Sequence, residues 1–427
     1  MRRFRRLRTM AAAACCAAWM LPACTDGAPP PHATAGARAP HLPVCSLSVE
    51  RSGRAAECPG LFRPFAADGA AVGPFRPAQP REGAGAPGEW PRCIGEGDAR
   101  PPCLPPRTAR LLFAGDVMQH LPQVFAARRA DGTHDYTSVF EGVAPYFAAA
   151  DLVAVNLETT LTASGDYAGY PCFRSPLSLA AALGAAGVDV CALANNHCCD
   201  GGAQGIRTTL AELDRLGIRH TGVFADSLSL RRDHPLILTA GGIRFALLNY
   251  TYSTNGIPVP PGVAVRMIDT AVMRRDLASA RAAADCTVVL IHWGDEYRRQ
   301  PSQAQRRLAA FLRRSGADLV VGSHPHVVQP YAADSTGAVF YSLGNFVSNQ
   351  RRRYCDGGIM ARATVVLRPD GSLRVAVDAV PVWVRLPDYR ILPLPAADTV
   401  PMTRAERLQY ARFAEDTRFI LNAGPYR

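Results

Sequence analysis

Residues 110–118 read Arg110-Leu111-Leu112-Phe113-Ala114-Gly115-Asp116-Val117-Met118. An apolar run of strand length ends in a glycine and a carboxylate. The same grammar returns along the chain. Asp151 to Val155 leads into Asn156-Leu157-Glu158, and Val188 to Ala194 into Asn195-Asn196-His197. Thr287 to Ile291 leads into His292-Trp293-Gly294, and Leu319 to Val321 into Gly322-Ser323-His324-Pro325-His326. Each run reads as a buried strand. Helical stretches lie between them: 140–149, 177–186 stopped by Gly187, 203–216 stopped by Gly217, and about 270–283 and 302–314. Further strands are expected over 243–250 and 339–342. Strands alternating with helices of this length are the α/β signature. The end of the chain differs. Residues 361–367 and 373–382 read as a hairpin around Pro369-Asp370-Gly371, and 404–421 as a terminal helix.

In open α/β sheets, ligands gather in the crevice beyond the carboxyl ends of the strands. Five such ends carrying carboxylate, amide and imidazole therefore predict one shared site. Asp116 and Glu158 are hard anionic donors, Asn196 offers an amide oxygen, and His197, His292, His324 and His326 offer imidazole nitrogen. Two divalent ions bridged by one carboxylate use about this inventory. His32, His41, His120, His134, His220 and His234 have no such context.

The 427 residues allow one large domain or two ordinary ones, and 48% hydrophobic content supports a sizeable core. The formal charge is +11, and all 47 basic residues are arginine. Five of these lie in the first eight residues; without them the charge is about +6, too modest and too dispersed to argue for nucleic acid. The basic start is followed by an apolar stretch, Met10 to Ala23, too short for a comfortable membrane span. Leu21-Pro22-Ala23-Cys24 then reads as a lipoprotein processing site, with Cys24 the lipidated residue of an exported, membrane-anchored envelope protein and residues 1–23 its signal peptide. Residues 24–107 form a Pro/Gly-rich linker or cystine-tied extension. Between Thr25 and Arg107 it holds 16 of the 35 prolines, together with Cys45, Cys58, Cys93 and Cys103. Short loops favour pairing Cys45 with Cys58 and Cys93 with Cys103, although sequence cannot fix connectivity. Cys198 and Cys199 beside His197 read better as small loop fillers than as zinc ligands.

Taken in order, Gly115-Asp116-Val117-Met118, Asn156-Leu157-Glu158, Phe173-Arg174-Ser175-Pro176, Ala194-Asn195-Asn196-His197 with Asp200 and Gly202, His292-Trp293-Gly294 with Glu296-Tyr297, His324-Pro325-His326, and Ser342-Leu343-Gly344-Asn345-Phe346 resemble the capsule-synthesis CapA family. That family is associated with poly-γ-glutamate capsules and related to calcineurin-like metallophosphoesterases. The resemblance covers about residues 110–385. It implies an α/β fold, a four-layer αββα sandwich of metallophosphoesterase type, over 108–385; beyond the resemblance, residues 386–427 read as a C-terminal helical tail. It also implies a site for divalent metal ions (Mn, Zn, Fe or Mg), two at most. Asp116 and His326 would hold the first ion, Glu158 would bridge, and Asn196, His292 and His324 would hold the second. His197 would be the catalytic acid. Arg174, Glu296 and Tyr297 would face an anionic substrate, while Asp200 braces its loop and Asn345 holds backbone. Metallophosphoesterases carry Asp-x-His at the first motif; Met118 stands at that histidine's position and removes a ligand.

Three functions follow as expectations. The first is an exported, lipid-anchored protein in the synthesis of poly-γ-glutamate or a related anionic envelope polymer, working with a membrane capsule-synthesis complex. The second is an envelope metallophosphoesterase. The third is a non-catalytic accessory that binds the nascent polymer. Metal-assisted hydrolysis with His197 protonating the leaving group would serve the first two.

Overall fold

The structure is a computed structural model, described here for residues 105–397 and 399–422. Cys24, the signal stretch and the cysteines of the extension lie outside the described residues. Every described residue falls within one compact unit.

Two mixed β-sheets face each other. The first runs in the order Ile391–Pro393, Leu373–Val384, Gly357–Leu367, Arg107–Val117, Leu152–Leu157, Val190–Ala192, Arg219–Thr221, with Asn345–Val347 paired to Arg107–Val117. The second runs Tyr331–Asp334, Gly337–Phe340, Leu319–Ser323, Cys286–His292, Ile243–Thr251, Leu236–Ala240. In the first sheet the strands from Arg107–Val117 to Arg219–Thr221 are parallel, and in the second those from Gly337–Phe340 to Ile243–Thr251. Their side chains alternate between two buried faces. Leu111, Phe113, Leu152, Ala154, Leu247, Val288 and Val321 meet between the sheets. Leu112, Val153 and Val155 face outward, against Leu179 and Leu183 of the helix Ser178–Ala186 and Ile206 and Leu210 of Gly202–Leu216. On the other side Leu248, Val289 and Val320 face Met273 and Leu277 of Thr270–Ala283 and Leu312 of Gln303–Arg314. Three apolar layers between four layers of secondary structure make the αββα sandwich that the sequence implied. Each large side chain buried in them contributes roughly 1.5–3 kcal/mol by leaving water.

The helix boundaries follow local chemistry. Gly187 and Gly217 end their helices at φ 104° and 72°, the left-handed conformation that glycine adopts cheaply. Asp269 accepts from the Ala271 and Val272 amides, and Ser302 from Gln305, to start the two helices of the other face. One expected helix is broken. Residues 140–149 instead hold the last residue of one short helix, Thr137–Phe140, and the whole of a second, Ala144–Phe147. Between them Gly142 passes so close to the last strand that a Cβ would lie 2.6 Å from the Ile391 carbonyl oxygen. The expected hairpin is longer than its apolar signature, Gly357–Leu367 paired with Leu373–Val384. The terminal helix Arg404–Asn422 lays Tyr410 and Phe413 against Trp383 and Leu392. No helix among the described residues is long and apolar enough to cross a membrane.

Candidate metal centre

Both sheets deliver the ends of their parallel strands to one place. Asp116 lies beside Asn156 on one side and Asn345 on the other, just past an irregularity in strand register. Gly115 makes that irregularity possible: a Cβ there would lie 2.0 Å from the Gly344 carbonyl oxygen. In the second sheet His292 is flanked by Thr251 and Ser323. The loop that follows carries His324 at φ 99° and His326 at φ 56°, and the neighbouring loop carries Tyr297 at φ 63°. Such backbone costs of order 1–3 kcal/mol per residue, and it concentrates where side-chain placement matters more than stability.

Three groups of donors have ligand atoms within 4.8 Å of one another: Asp116, Glu158 and His326; Glu158, His292 and His324; and Glu296, His324 and His326. Glu158 belongs to two of them, the position of a bridging carboxylate. Hydrogen bonds orient the donors. Asn156 Nδ2 donates to Asp116 Oδ1 at 2.8 Å and to Glu158 Oε2 at 3.2 Å. His326 Nδ1 lies 3.1 Å from both Asp116 Oδ2 and Asn345 Oδ1, so it carries the proton and leaves Nε2 a free lone pair. His292 Nδ1 meets the Ser323 hydroxyl at 2.9 Å, and its Nε2 meets Asn196 Oδ1 at 2.9 Å. Two buried atoms are left over. Glu158 Oε1 and His324 Nδ1 have no hydrogen-bond partner. Glu158 Oε1 stands 3.6 Å from His292 Nε2 and 4.0 Å from His326 Nε2. Those spacings are too long for hydrogen bonds. They match two ligands on a shared cation, each about 2.1 Å from it. Orphaned buried acceptors are costly, and a divalent ion removes that cost. The residues therefore fit the metal.

The electrostatics agree. Complete burial, with Asp116 and Glu296 nearby, pushes the Glu158 carboxyl well above the usual range. Burial, then the neighbouring imidazoles, pushes His292 well down and His324 to about 3. Both rings are therefore neutral at physiological pH and present lone pairs, the form a metal requires. A bound cation inverts the penalty on Glu158.

Beside this cluster, His197 Nδ1 lies 2.7 Å from Asp200 Oδ2, and Asp200 also accepts the Phe173 amide at 2.6 Å. Asp200 thus braces the loop, as the family resemblance implied, and also fixes which His197 nitrogen stays free. Phe173 meets His197 edge-on at 4.6 Å between centroids and His120 at 5.1 Å. His120, without context in the sequence, is one ring away from the site. Its partial burial pushes it down to about 4. The unfolded chain, with an ordinary histidine near 6.5, binds the proton more readily. His120 should therefore cost no stability above about pH 6.5, and about 3 kcal/mol should be lost as pH falls from there towards 4. Urea midpoints across that range should fall less steeply for His120→Gln than for the wild type; parallel curves would refute this. Cys198 and Cys199 pack into the core, outside all three donor groups.

The expected substrate-facing residues divide. Arg174 turns to Asp166, with Nε 3.1 Å from Oδ2. Tyr297 lies 6.0 Å from the His326 ring, and the Arg352 guanidinium lies 4.5 Å from the centre of the Tyr297 ring. Arg352 makes no ion pair among the described residues. Tyr252 went unnoticed in the sequence. Its ring lies 4.6 Å from His324, and its hydroxyl bonds Asn196. Burial, with Glu296 and Glu158 nearby, pushes that hydroxyl up to about 12 and keeps it a donor. The sign available was its place, one residue past the apolar strand Ile243–Thr251.

Residues 110–350 match the profile of the family described as bacterial capsule synthesis protein PGA_cap, over more than half of the chain. The chain belongs to that family. It is 32% identical over 254 residues to the "PGA biosynthesis protein CapA" of Bacillus subtilis, covering 56% of this chain and 63% of that protein. The "capsule biosynthesis protein CapA" of Bacillus anthracis is 31% identical over 254 residues, 56% of this chain and 60% of that protein. A "probable polyglutamine synthesis accessory protein" of Mycobacterium tuberculosis is 32% identical over 217 residues, 47% of this chain and 56% of that protein. The chain thus spans less than two thirds of these relatives. Among solved structures, a 5'-nucleotidase precursor from Thermus thermophilus aligns at 15% identity and a TM-score of 0.41, over 73% of this chain and 59% of that one.

Proposed function

We propose that this PGA_cap-family protein acts in the synthesis of an anionic envelope polymer, poly-γ-glutamate or a relative of it, as a metal-dependent hydrolase or transferase. The observation that carries the reading is the cluster of Asp116, Glu158, His292, His324 and His326, with two orphaned buried donor atoms, beside the His197–Asp200 pair. The names of the relatives supply the polymer. Asp116, Glu158 and His326 would hold one divalent ion, and Glu158, Asn196, His292 and His324 another. Such ions polarise a carbonyl or phosphoryl oxygen and lower the pKa of water. His197, held by Asp200, donates the proton that the leaving group needs. Arg352 on Tyr297 pairs with a polymer carboxylate at the mouth of the site. The test is incubation of the Mn2+-loaded protein with poly-γ-glutamate, read as a change in polymer length. A Mn2+-loaded protein inert on the polymer but active on a generic phosphodiester would make it an envelope phosphoesterase. Inertness on both with normal polymer binding would make it a non-catalytic accessory.

The reading also places the protein outside the cytoplasm, anchored through Cys24 at the membrane where a capsule-synthesis complex would work. Leu21-Pro22-Ala23-Cys24 supports this. Cys24→Ala should move the protein from the membrane fraction to the soluble fraction. An unchanged membrane fraction would remove the anchor from the proposal.

A further inference from the structure

We propose that Glu296 is itself a ligand of the metal centre, supplying from the solvent side the donor that Met118 cannot. The inference rests on the metal reading above and adds a residue to it. Asp116, Glu158, His292, His324 and His326 are all buried at the floor of the site. Glu296 is exposed, yet one of its carboxylate oxygens belongs to a donor group with His324 and His326. Its position is built. The Trp293 amide donates to the Ser323 carbonyl at 3.1 Å and the Tyr297 amide to the Pro325 carbonyl at 2.8 Å. These two bonds bracket Glu296 and tie its loop to the segment carrying both histidines. Gly294 at φ 92° and Tyr297 at φ 63° give the loop its sharp course. Gly294 has no room for a side chain: a Cβ would lie 2.5 Å from Gln305 Cδ.

The carboxylate also keeps acceptor capacity. Arg298 and Arg299 follow in sequence, yet Glu296 forms no ion pair among the described residues. It is hydrogen-bonded to the neighbouring Tyr297 hydroxyl, which leaves acceptor capacity for a cation. Met118, two residues past Asp116, offers only a buried thioether, a soft donor unsuited to a hard divalent ion. With Glu296 included, the two donor groups that contain His326 hold three carboxylates, Asp116, Glu158 and Glu296, and two imidazoles, His324 and His326. That mixed oxygen and nitrogen set suits Mn2+, which accepts both donor types.

The test is equilibrium dialysis of the full chain against Mn2+, with bound metal counted by mass spectrometry, for wild type, Glu296→Ala and Glu158→Ala. Because Glu296 is exposed, the metal-free melting temperature of Glu296→Ala should match wild type and certify its fold. The expected result is that Glu296→Ala binds one equivalent about 10-fold or more weakly than wild type. The d–d absorption of the Co2+-loaded variant should differ from wild type, because the ion has lost a ligand. Unchanged equivalents and affinity overturn the proposal. A weaker affinity with an unchanged Co2+ spectrum also overturns it, since the carboxylate then acts through charge alone. Binding by wild type that Glu158→Ala loses but Glu296→Ala keeps sinks this inference and leaves the metal reading standing. Absence of bound metal in wild type sinks both.

Discussion

Replacing Glu158 by alanine is expected to abolish stoichiometric metal binding, the largest single effect of any substitution in this chain. Glu158 is the one carboxylate shared by two of the ligand groups, so both ions depend on it. Loss of an outer-shell partner alone typically costs 10- to 100-fold in metal affinity; a shared inner ligand should cost more than about 100-fold. His324→Ala should show the same defect through one ion. The stability readout separates this from a structural role. Without metal, Glu158 is a fully buried carboxyl with one unpartnered oxygen, so Glu158→Gln should not lower the metal-free melting temperature. With metal at about 100 times its Kd, wild type should gain about 2.7 kcal/mol, and the variant should gain much less. Equal, small metal contents in wild type and both variants would end the metal reading.

The second large effect is expected at His197. If His197 is the general acid, His197→Ala should cut kcat by about 10²- to 10⁴-fold while leaving metal content intact. Asp200 works through it, held 2.7 Å from Nδ1. Asp200→Asn keeps the shape of the side chain but loses the carboxylate that holds the ring in one orientation, so kcat should fall with metal content unchanged. A merely structural Asp200 would reduce the amount of folded protein without lowering kcat. Full activity in His197→Ala would assign the proton to another group. Tyr252, whose hydroxyl sits on Asn196, would be the next to test.

The elements legible in the sequence were those with strong local signals. The strands over 107–117, 152–157 and 286–292 and the helix over 270–283 show unbroken apolar runs or a clear helical period. Short elements were not legible. Arg219–Thr221 is a strand only because it lies against Val190–Ala192. Asn345–Val347 pairs with a strand more than two hundred residues earlier. The helix expected over 140–149 failed for a tertiary reason, the passage of the strand Ile391–Pro393 against Gly142. The site divides in the same way. Carboxylate, amide and imidazole at strand ends were visible as a list of donors. Asn156 and Ser323 were visible only as members of those clusters, with no role attached, and Tyr252 not at all, because an asparagine, serine or tyrosine beside an apolar run carries no sign of which donor it orients.

By itself, the sequence determined the layered α/β architecture and the family, because period, length and ordered motifs are properties of the chain. It also determined which residue types could hold a cation. Tertiary structure alone decided which donors meet. Asp116 and His326 are 210 residues apart, and His326 Nδ1 lies 3.1 Å from Asp116 Oδ2. Their encounter depends on two sheets packing face to face through the apolar layer of Phe113, Leu247 and Val321. Tertiary structure also turned Arg174 to Asp166 and brought Glu296 to the histidines. The physical reason is common to all three: hydrophobic burial sets the sheets, and a side chain's partner is whatever that packing leaves within reach.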